Sequence, residues 1–122
     1  MIGRIPFSLP DEGLDEIEGF VWIDDGCLVI DLESKFLGLI KRDRKTIKVV
    51  PTALHDVTLA TGLIRDKLRI LPKRLDLLEA MPGKNPREVV LRVNRKHRPW
   101  AEDLVDELRE WIEEAEEEDW DD

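Results

Sequence analysis

From Phe20 onward the chain alternates apolar and polar residues in short runs, each stopped by turn-forming residues, and that period of two predicts antiparallel strands. Phe20-Val21-Trp22-Ile23 is the first run. Asp24-Asp25-Gly26 closes it into a hairpin, because glycine takes the positive φ of a tight turn without a steric cost and aspartate tolerates it. The return run, Cys27 to Glu33, places Leu28, Ile30 and Leu32 on one face and Cys27, Val29, Asp31 and Glu33 on the other. Thr46 to Val50 repeats the alternation with Ile47 and Val49 inward, and Pro51 stops it because proline has no N–H for the ladder. Val57 to Thr61 and Lys67 to Leu71 form a second hairpin about Gly62, and Glu88 to Val93 is the last strand. Between these, Leu75, Leu77, Leu78 and Met81 precede Pro82-Gly83, and their spacing fits a short strand and a helical turn equally.

At the C-terminal end the period changes. Trp100, Ala101, Leu104, Val105, Leu108, Trp111, Ile112 and Ala115 fall on one face of a helix, with Pro99 where a first-turn proline is welcome. That stripe needs an apolar surface, and the sheet is the one the chain offers. The acidic run Glu116 to Asp119 puts negative charge at the negative end of the helix, which predicts fraying past Ala115. Residues 1–17 hold two prolines and no sustained period, which predicts an extended arm outside the core. The organisation expected is an arm over 1–17, one domain over 18–115 with its helix from about residue 99, and an acidic tail over 116–122.

A length of 122 residues allows a single core. Charged residues reach 39%, yet an apolar share of 42% is enough to fold. Cys27 stands alone, so no internal disulfide forms, and His55 and His97 beside it do not complete a zinc set; no metal or cofactor is expected. A lone thiol, no apolar run of leader length and no stretch near the roughly 20 apolar residues of a membrane span point to the cytoplasm.

Charge adds what periodicity does not show. The net charge of −9 divides into three blocks: one base against nine acids over 1–34, seventeen bases against six acids over 35–98, and one base against thirteen acids over 99–122. A basic middle between acidic ends can bind an external anion, the chain's own ends, or another copy of the chain.

Six or seven antiparallel strands followed by one amphipathic helix is the element order of the pleckstrin-homology-like (PH-like) superfold. The segment Lys45-Thr46-Ile47-Lys48-Val49-Val50-Pro51-Thr52-Ala53-Leu54-His55-Asp56-Val57 resembles the strand, short link and next strand of small bacterial PH-like domains. Leu78-Glu79-Ala80-Met81-Pro82-Gly83, followed by Val89 to Val93, Arg95 and Arg98, is similar to the same group. The resemblance spans about Glu18 to Glu114 and implies a mainly β, α+β barrel or sandwich of six or seven antiparallel strands capped by a C-terminal helix. It further implies a binding or scaffolding module without general catalysis, of a kind whose bacterial members often self-associate. Lipid-binding PH domains carry bases in the first hairpin, whereas Asp24-Asp25-Gly26 here would repel an inositol phosphate. Phosphoinositide binding at that position is therefore disfavoured.

Four features are candidates for function. Leu63 and Ile64, with Gly62 and Arg65, put two large aliphatics on a turn, where they need a partner or must fold back under the arm. Phe36-Leu37-Gly38-Leu39-Ile40 followed by Lys41-Arg42-Asp43-Arg44-Lys45, in a loop over 34–45, sets an apolar wedge beside a basic cluster; the acidic blocks weigh against a membrane surface, and a barrel-end plug fits the wedge better. Arg92, Arg95, Lys96, His97 and Arg98, with Arg65, Lys67, Arg69, Lys73 and Arg74, make a case for nucleic acid, but Phe20, Trp22, Trp100 and Trp111 read as core and leave no stacking platform. The acidic helix face, Glu102 to Glu114, is a solvated face or the counterpart of basic strands in a neighbouring copy. Cys27 reads as a structural thiol and Asp24-Asp25 as turn-shaping, so no residue is assigned to catalysis. The leading expectation is a non-catalytic, self-associating interaction module using Gly62, Leu63, Ile64 and Arg65, with Phe36, Lys41, Arg42, Arg44 and Lys45 as a second candidate surface. An anionic-ligand binder, taking nucleic acid or a membrane surface on the basic middle, is the alternative, and an enzyme ranks third.

Overall fold

The architecture follows from strands that turn an apolar parity toward a common interior, with a register shift after Leu54 resetting the parity within its strand and Val29 buried on the other face of its own. The computed structural model describes residues 3–9, 15–36, 39–73 and 88–119. The strands are β1 (Ile5–Ser8), β2 (Asp15–Asp24), β3 (Cys27–Phe36), β4 (Leu39–Val49), β5 (Leu54–Ala60), β6 (Arg65–Pro72) and β7 (Val89–Asn94), and helix α1 spans Arg98–Asp119. Short 3-10 turns at Pro51–Ala53 and Arg95–His97 lead into β5 and α1. All the strand pairings are antiparallel in one seven-stranded sheet of order β4-β3-β2-β1-β7-β6-β5. The protein is thus mainly β with one C-terminal helix, an α+β fold.

Both wings of the sheet feed one core. Leu28, Ile30 and Leu32 of β3 lie in the same buried cluster as Val57 of β5, Leu68 and Ile70 of β6, and Leu91 and Val93 of β7. Ala101, Leu104, Val105, Leu108 and Ile112 of α1 complete it with Trp111 packed against them, so most of the stripe expected of the helix packs, while Trp100, expected on it, stays outside the cluster and exposed. The helix lies against β5 and the Pro51–Ala53 turn, and Arg109 Nε reaches Asp56 Oδ1 at 3.6 Å beside that contact.

The hairpin at Asp24–Gly26 forms as expected, although it joins β2 to β3 and is the second in the chain, because β1 pairs with β2 before it. Asp24 pairs with Cys27 across a two-residue turn in which Asp25 (φ 50°) and Gly26 (φ 74°) both take the left-handed region, the signature of a type I′ hairpin. Pro51 likewise ends β4, which stops at Val49.

Three expectations need correction. Residues 5–8 are not an arm outside the core: β1 is the central strand of the sheet, pairing with β2 on one side and β7 on the other, and Ile5 and Phe7 are buried. Ile5 and Phe7 already have the period of two, but in a strand of four residues beside Pro6 it is too short to stand out. The segment 34–45 is not a loop, since β3 runs to Phe36 and β4 starts at Leu39 with a register shift at Ser34/Lys35. Cross-strand pairing forms the strands here although the segment lacks a period of two, the register shift absorbing the irregularity. Finally, α1 continues past Ala115 through Asp119 instead of fraying, because backbone bonds and the helix propensity of glutamate outweigh an end-charge penalty of a few tenths of a kcal/mol per residue. The segment 75–81 and Trp120 lie outside the described residues.

Because Phe7 is buried in the central strand, Phe7→Ala should destabilise the protein by about 3–5 kcal/mol, as large-to-small changes in cores do. Urea unfolding measures it. A loss under about 0.5 kcal/mol, the size of a surface substitution, would return these residues to an arm.

Candidate interaction site

Strand β6 carries aspartate where its period calls for an aliphatic. Asp66 shares the inward parity of Leu68 and Ile70 and is fully buried. A carboxylate survives there only with its lone pairs filled. Arg98, at the start of α1, supplies two bonds, Nε to Oδ2 at 2.8 Å and Nη2 to Oδ1 at 2.9 Å, and the Gly62 N–H donates to Oδ1 at 3.0 Å. The hydrogen bonds from Arg98 hold the Asp66 carboxyl below the ordinary carboxylate pKa against the opposing effect of burial, with the Gly62 N–H and the charges of Arg98 and Arg95 adding to them. The same pairing raises Arg98.

This ion pair fixes the turn between β5 and β6. Arg98 Nη2 also donates to the Gly62 carbonyl at 2.8 Å, Arg95 Nη1 to the Leu63 carbonyl at 3.3 Å, and the Arg95 N–H to the Ile64 carbonyl at 3.3 Å. Three consecutive carbonyls are thus held from α1 and the 3-10 turn before it. A Cβ at Gly62 would collide with the Arg65 carbonyl, so the turn accepts only glycine in this shape. On this fixed backbone the side chains of Leu63 and Ile64 stand 88% and 76% exposed. They do not fold back under the chain's N-terminal segment.

The other candidate residues divide. Gly62, Leu63, Ile64 and Arg65 form one exposed tip. Arg44 and Lys45 are exposed on β4, and Arg44 Nη2 lies 4.0 Å from Asp31 Oδ2. Phe36 is the last residue of β3, and Lys41 and Arg42 belong to β4; their side chains lie outside the described residues. Arg44 and Arg65, from opposite wings, nevertheless line one groove of about 360 Å³ on the outward sheet face, with Glu18, Glu33, Phe20 and Arg92 among its other walls. Beneath this groove a Cβ at Gly19 would strike the Asp31 carbonyl, so glycine lets β2 and β3 approach here.

The basic group proposed for anions is also split. Arg95 and Arg98 are committed to the tip, while Arg65, Lys67, Arg69 and Arg92 occupy the outward parity of β6 and β7; Lys73 is exposed beyond β6 and Arg74 lies outside the described residues. Aromatic placement differs from expectation as well. Phe20 is 41% and Trp100 44% exposed, and Trp22 is half-buried beneath the Arg4 guanidinium, 4.4 Å from its ring centroid. Phe20 and Trp22 fall on the outward parity of β2, where alternation alone puts them, whereas Trp100, expected on the apolar stripe of α1, lies outside the core cluster. Cys27 is half-buried beside the Asp24–Gly26 turn, and no group of three or more metal-ligating side chains occurs among the described residues.

Sequence reasoning missed Asp66. Its signal was present: an acid two residues before Leu68 and four before Ile70, on the apolar parity of the strand. No protein-family model, curated protein or solved structure matches the chain. Among the described residues no helix is long and apolar enough to cross a membrane.

The lowered pKa of Asp66 sets a pH dependence. An unfolded aspartate titrates near about 3.9, so between that value and the lower folded one the unfolded chain holds the extra proton. Asp66 therefore contributes stability that is complete above the unfolded value and is lost as pH falls through the folded one. Asp66→Asn, which turns an amide donor toward donors, should lower the urea midpoint at pH 7 and flatten its decline in acid. Midpoints measured from about pH 7 to about pH 2.5 test this, and parallel declines in the two proteins would refute the assignment.

Proposed function

We propose that the chain is a non-catalytic protein-interaction module of PH-like type that self-associates through the tip Gly62–Arg65. The observation that carries this reading is the tip itself, two large aliphatics 88% and 76% exposed on a backbone clamped by the Asp66–Arg98 pair. Burying one such side chain is worth about 1.5–3 kcal/mol, and a turn already ordered loses little more entropy when it docks. An exposed apolar pair on a floppy turn would lose much of that gain to ordering. The PH-like assignment is supported by chain order, seven antiparallel strands followed by one helix packed across the core, and by the Lys45–Val57 resemblance. Fold alone leaves function open, so the weight rests on the tip.

Asp24 and Asp25 are exposed, but their turn joins β2 to β3, while the first hairpin, between β1 and β2, turns through residues 10–14, which lie outside the described residues. The two carboxylates therefore do not bear on a phosphoinositide site in the first hairpin, and phosphoinositide is not part of the proposal.

Light scattering after size exclusion on the intact chain, over a concentration series, tests the reading. A defined multimer is expected, and Leu63→Ser with Ile64→Ser should shift it toward monomer at least tenfold in concentration while leaving the melting temperature within a few degrees, since neither side chain is packed. A monomer at every concentration, or a multimer indifferent to both substitutions, would reject it.

A further inference from the structure

Two surfaces of opposite charge lack ion pairs among the described residues, and the fold places them where they cannot meet within one molecule. On β6 the residues Arg65, Lys67 and Arg69 point outward from the sheet, and Lys67 stands directly opposite Arg92 of β7. Like charges directly opposite in a ladder destabilise it. None of these four cations has an ion pair among the described residues. On α1 the residues Asp103, Asp106, Glu110 and Glu113 recur at three- and four-residue spacing opposite the apolar stripe, all exposed and without an ion pair among the described residues.

Alternation forbids an internal match. Leu68 and Ile70 enter the core that Leu104 and Leu108 of the helix close, so α1 lies on the inward side of the sheet and its acids point away from it. The cations of β6 and β7 face the other side. We propose that the outward face of β6 and β7, carrying Arg65, Lys67, Arg69 and Arg92, receives the Asp103–Glu113 stripe of α1 from a second copy of this chain, joining copies head to tail.

The dimensions agree. Ten residues of helix from Asp103 to Glu113 span about 15 Å, and Arg65 to Arg69 span about 13 Å of strand. The apolar tip is continuous with this surface, since Leu63 and Ile64 lead directly into Arg65. Trp100, 44% exposed and three residues before Asp103 on the same side of the helix, gives the tip an apolar counterpart on the arriving copy. The charges then set register and rate, and the tip supplies affinity. Such a contact uses different patches on the two partners, so it propagates or closes into a ring instead of stopping at a dimer. Glu18 and Glu33 line the groove that Arg65 and Arg92 share, so acids interrupt the continuous cationic track a nucleic-acid backbone needs, whereas a discrete acidic stripe can meet Lys67 and Arg69 outside that groove. The inference rests on the self-association proposed above and assigns it a partner surface.

Sedimentation of the full chain separates the two claims. Raising salt from about 0.15 M to about 1 M, which shortens the screening length from about 8 Å to about 3 Å, should weaken assembly at least tenfold. Lys67→Glu with Arg69→Glu should give a monomer, as should Asp106→Lys with Glu110→Lys, and mixing the two variants should restore assembly because each reversed face meets its complement. Assembly unmoved by salt and by both reversals but lost in Leu63→Ser/Ile64→Ser would overturn this inference and leave the tip intact. Assembly that responds to the reversals and ignores the tip substitutions would do the opposite. Monomeric reversals that stay monomeric on mixing, or a monomeric wild type whose Lys67 and Arg69 retain an oligonucleotide or anionic vesicles, would also overturn it.

Discussion

The bond between Asp66 and Arg98 joins residues 32 apart in sequence and fixes where three elements sit. It ties the start of β6 to the start of α1, and through the Gly62 carbonyl and N–H it draws the β5–β6 turn into the same knot. A buried carboxylate without its arginine would be too costly to keep, so the helix can begin only where the guanidinium reaches. From that origin its apolar stripe runs across β5 and the Pro51–Ala53 turn. Buried ion pairs of this kind add little stability over an apolar substitute of equal shape; what this one contributes is a single defined arrangement of turn, strand and helix.

The second constraint is topological. Among the described residues the ladders of the wings β2–β4 and β7–β5 are joined through β1, which pairs with β2 along all four of its residues and with β7 at Phe7 and Ser8. Pro6 has no N–H to give, and the ladder toward β7 begins only at Phe7, while Ile5 and Phe7 anchor the core from the middle of the sheet. A short strand can hold this position because its two inward side chains are fully used, and because its outward positions, Pro6 and Ser8, are small enough to floor the groove between the wings.

What the sequence makes legible follows range. The Asp24–Gly26 turn is readable because its glycine and aspartates specify φ locally, and the helix is readable because its stripe repeats over several turns. The interior parities of β3, β6 and β7 are readable for the same reason: one face must be apolar. Ser34 to Lys45 escapes because its residues do not alternate and its pairing shifts register at Ser34/Lys35, which breaks the period of two that would have marked it. Phe20 and Trp22 mislead because size suggests burial while parity decides it, and Trp100 misleads because it opens the helix beside a stripe whose core contacts begin at Ala101. Of the candidate site, Leu63 and Ile64 are legible as exposed aliphatics, but the clamp beneath them is not, since nothing local says that Asp66 and Arg98 will meet.

Charge sorting then acquires a geometric meaning. The acidic third block becomes the outer side of α1, and part of the basic middle becomes the outward parity of β6 and β7, on the opposite side of the sheet. Had the same bases lain on the inward parity they would have faced the helix within the molecule; Arg98, which does face an inward acid, is paired with Asp66 in that way. The period of two thus separates bases that complete the fold from bases that remain available to another molecule. At physiological salt the latter act only over about 8 Å, too short a range to hold a partner by themselves but long enough to orient one whose contact is made by two aliphatics on a fixed turn.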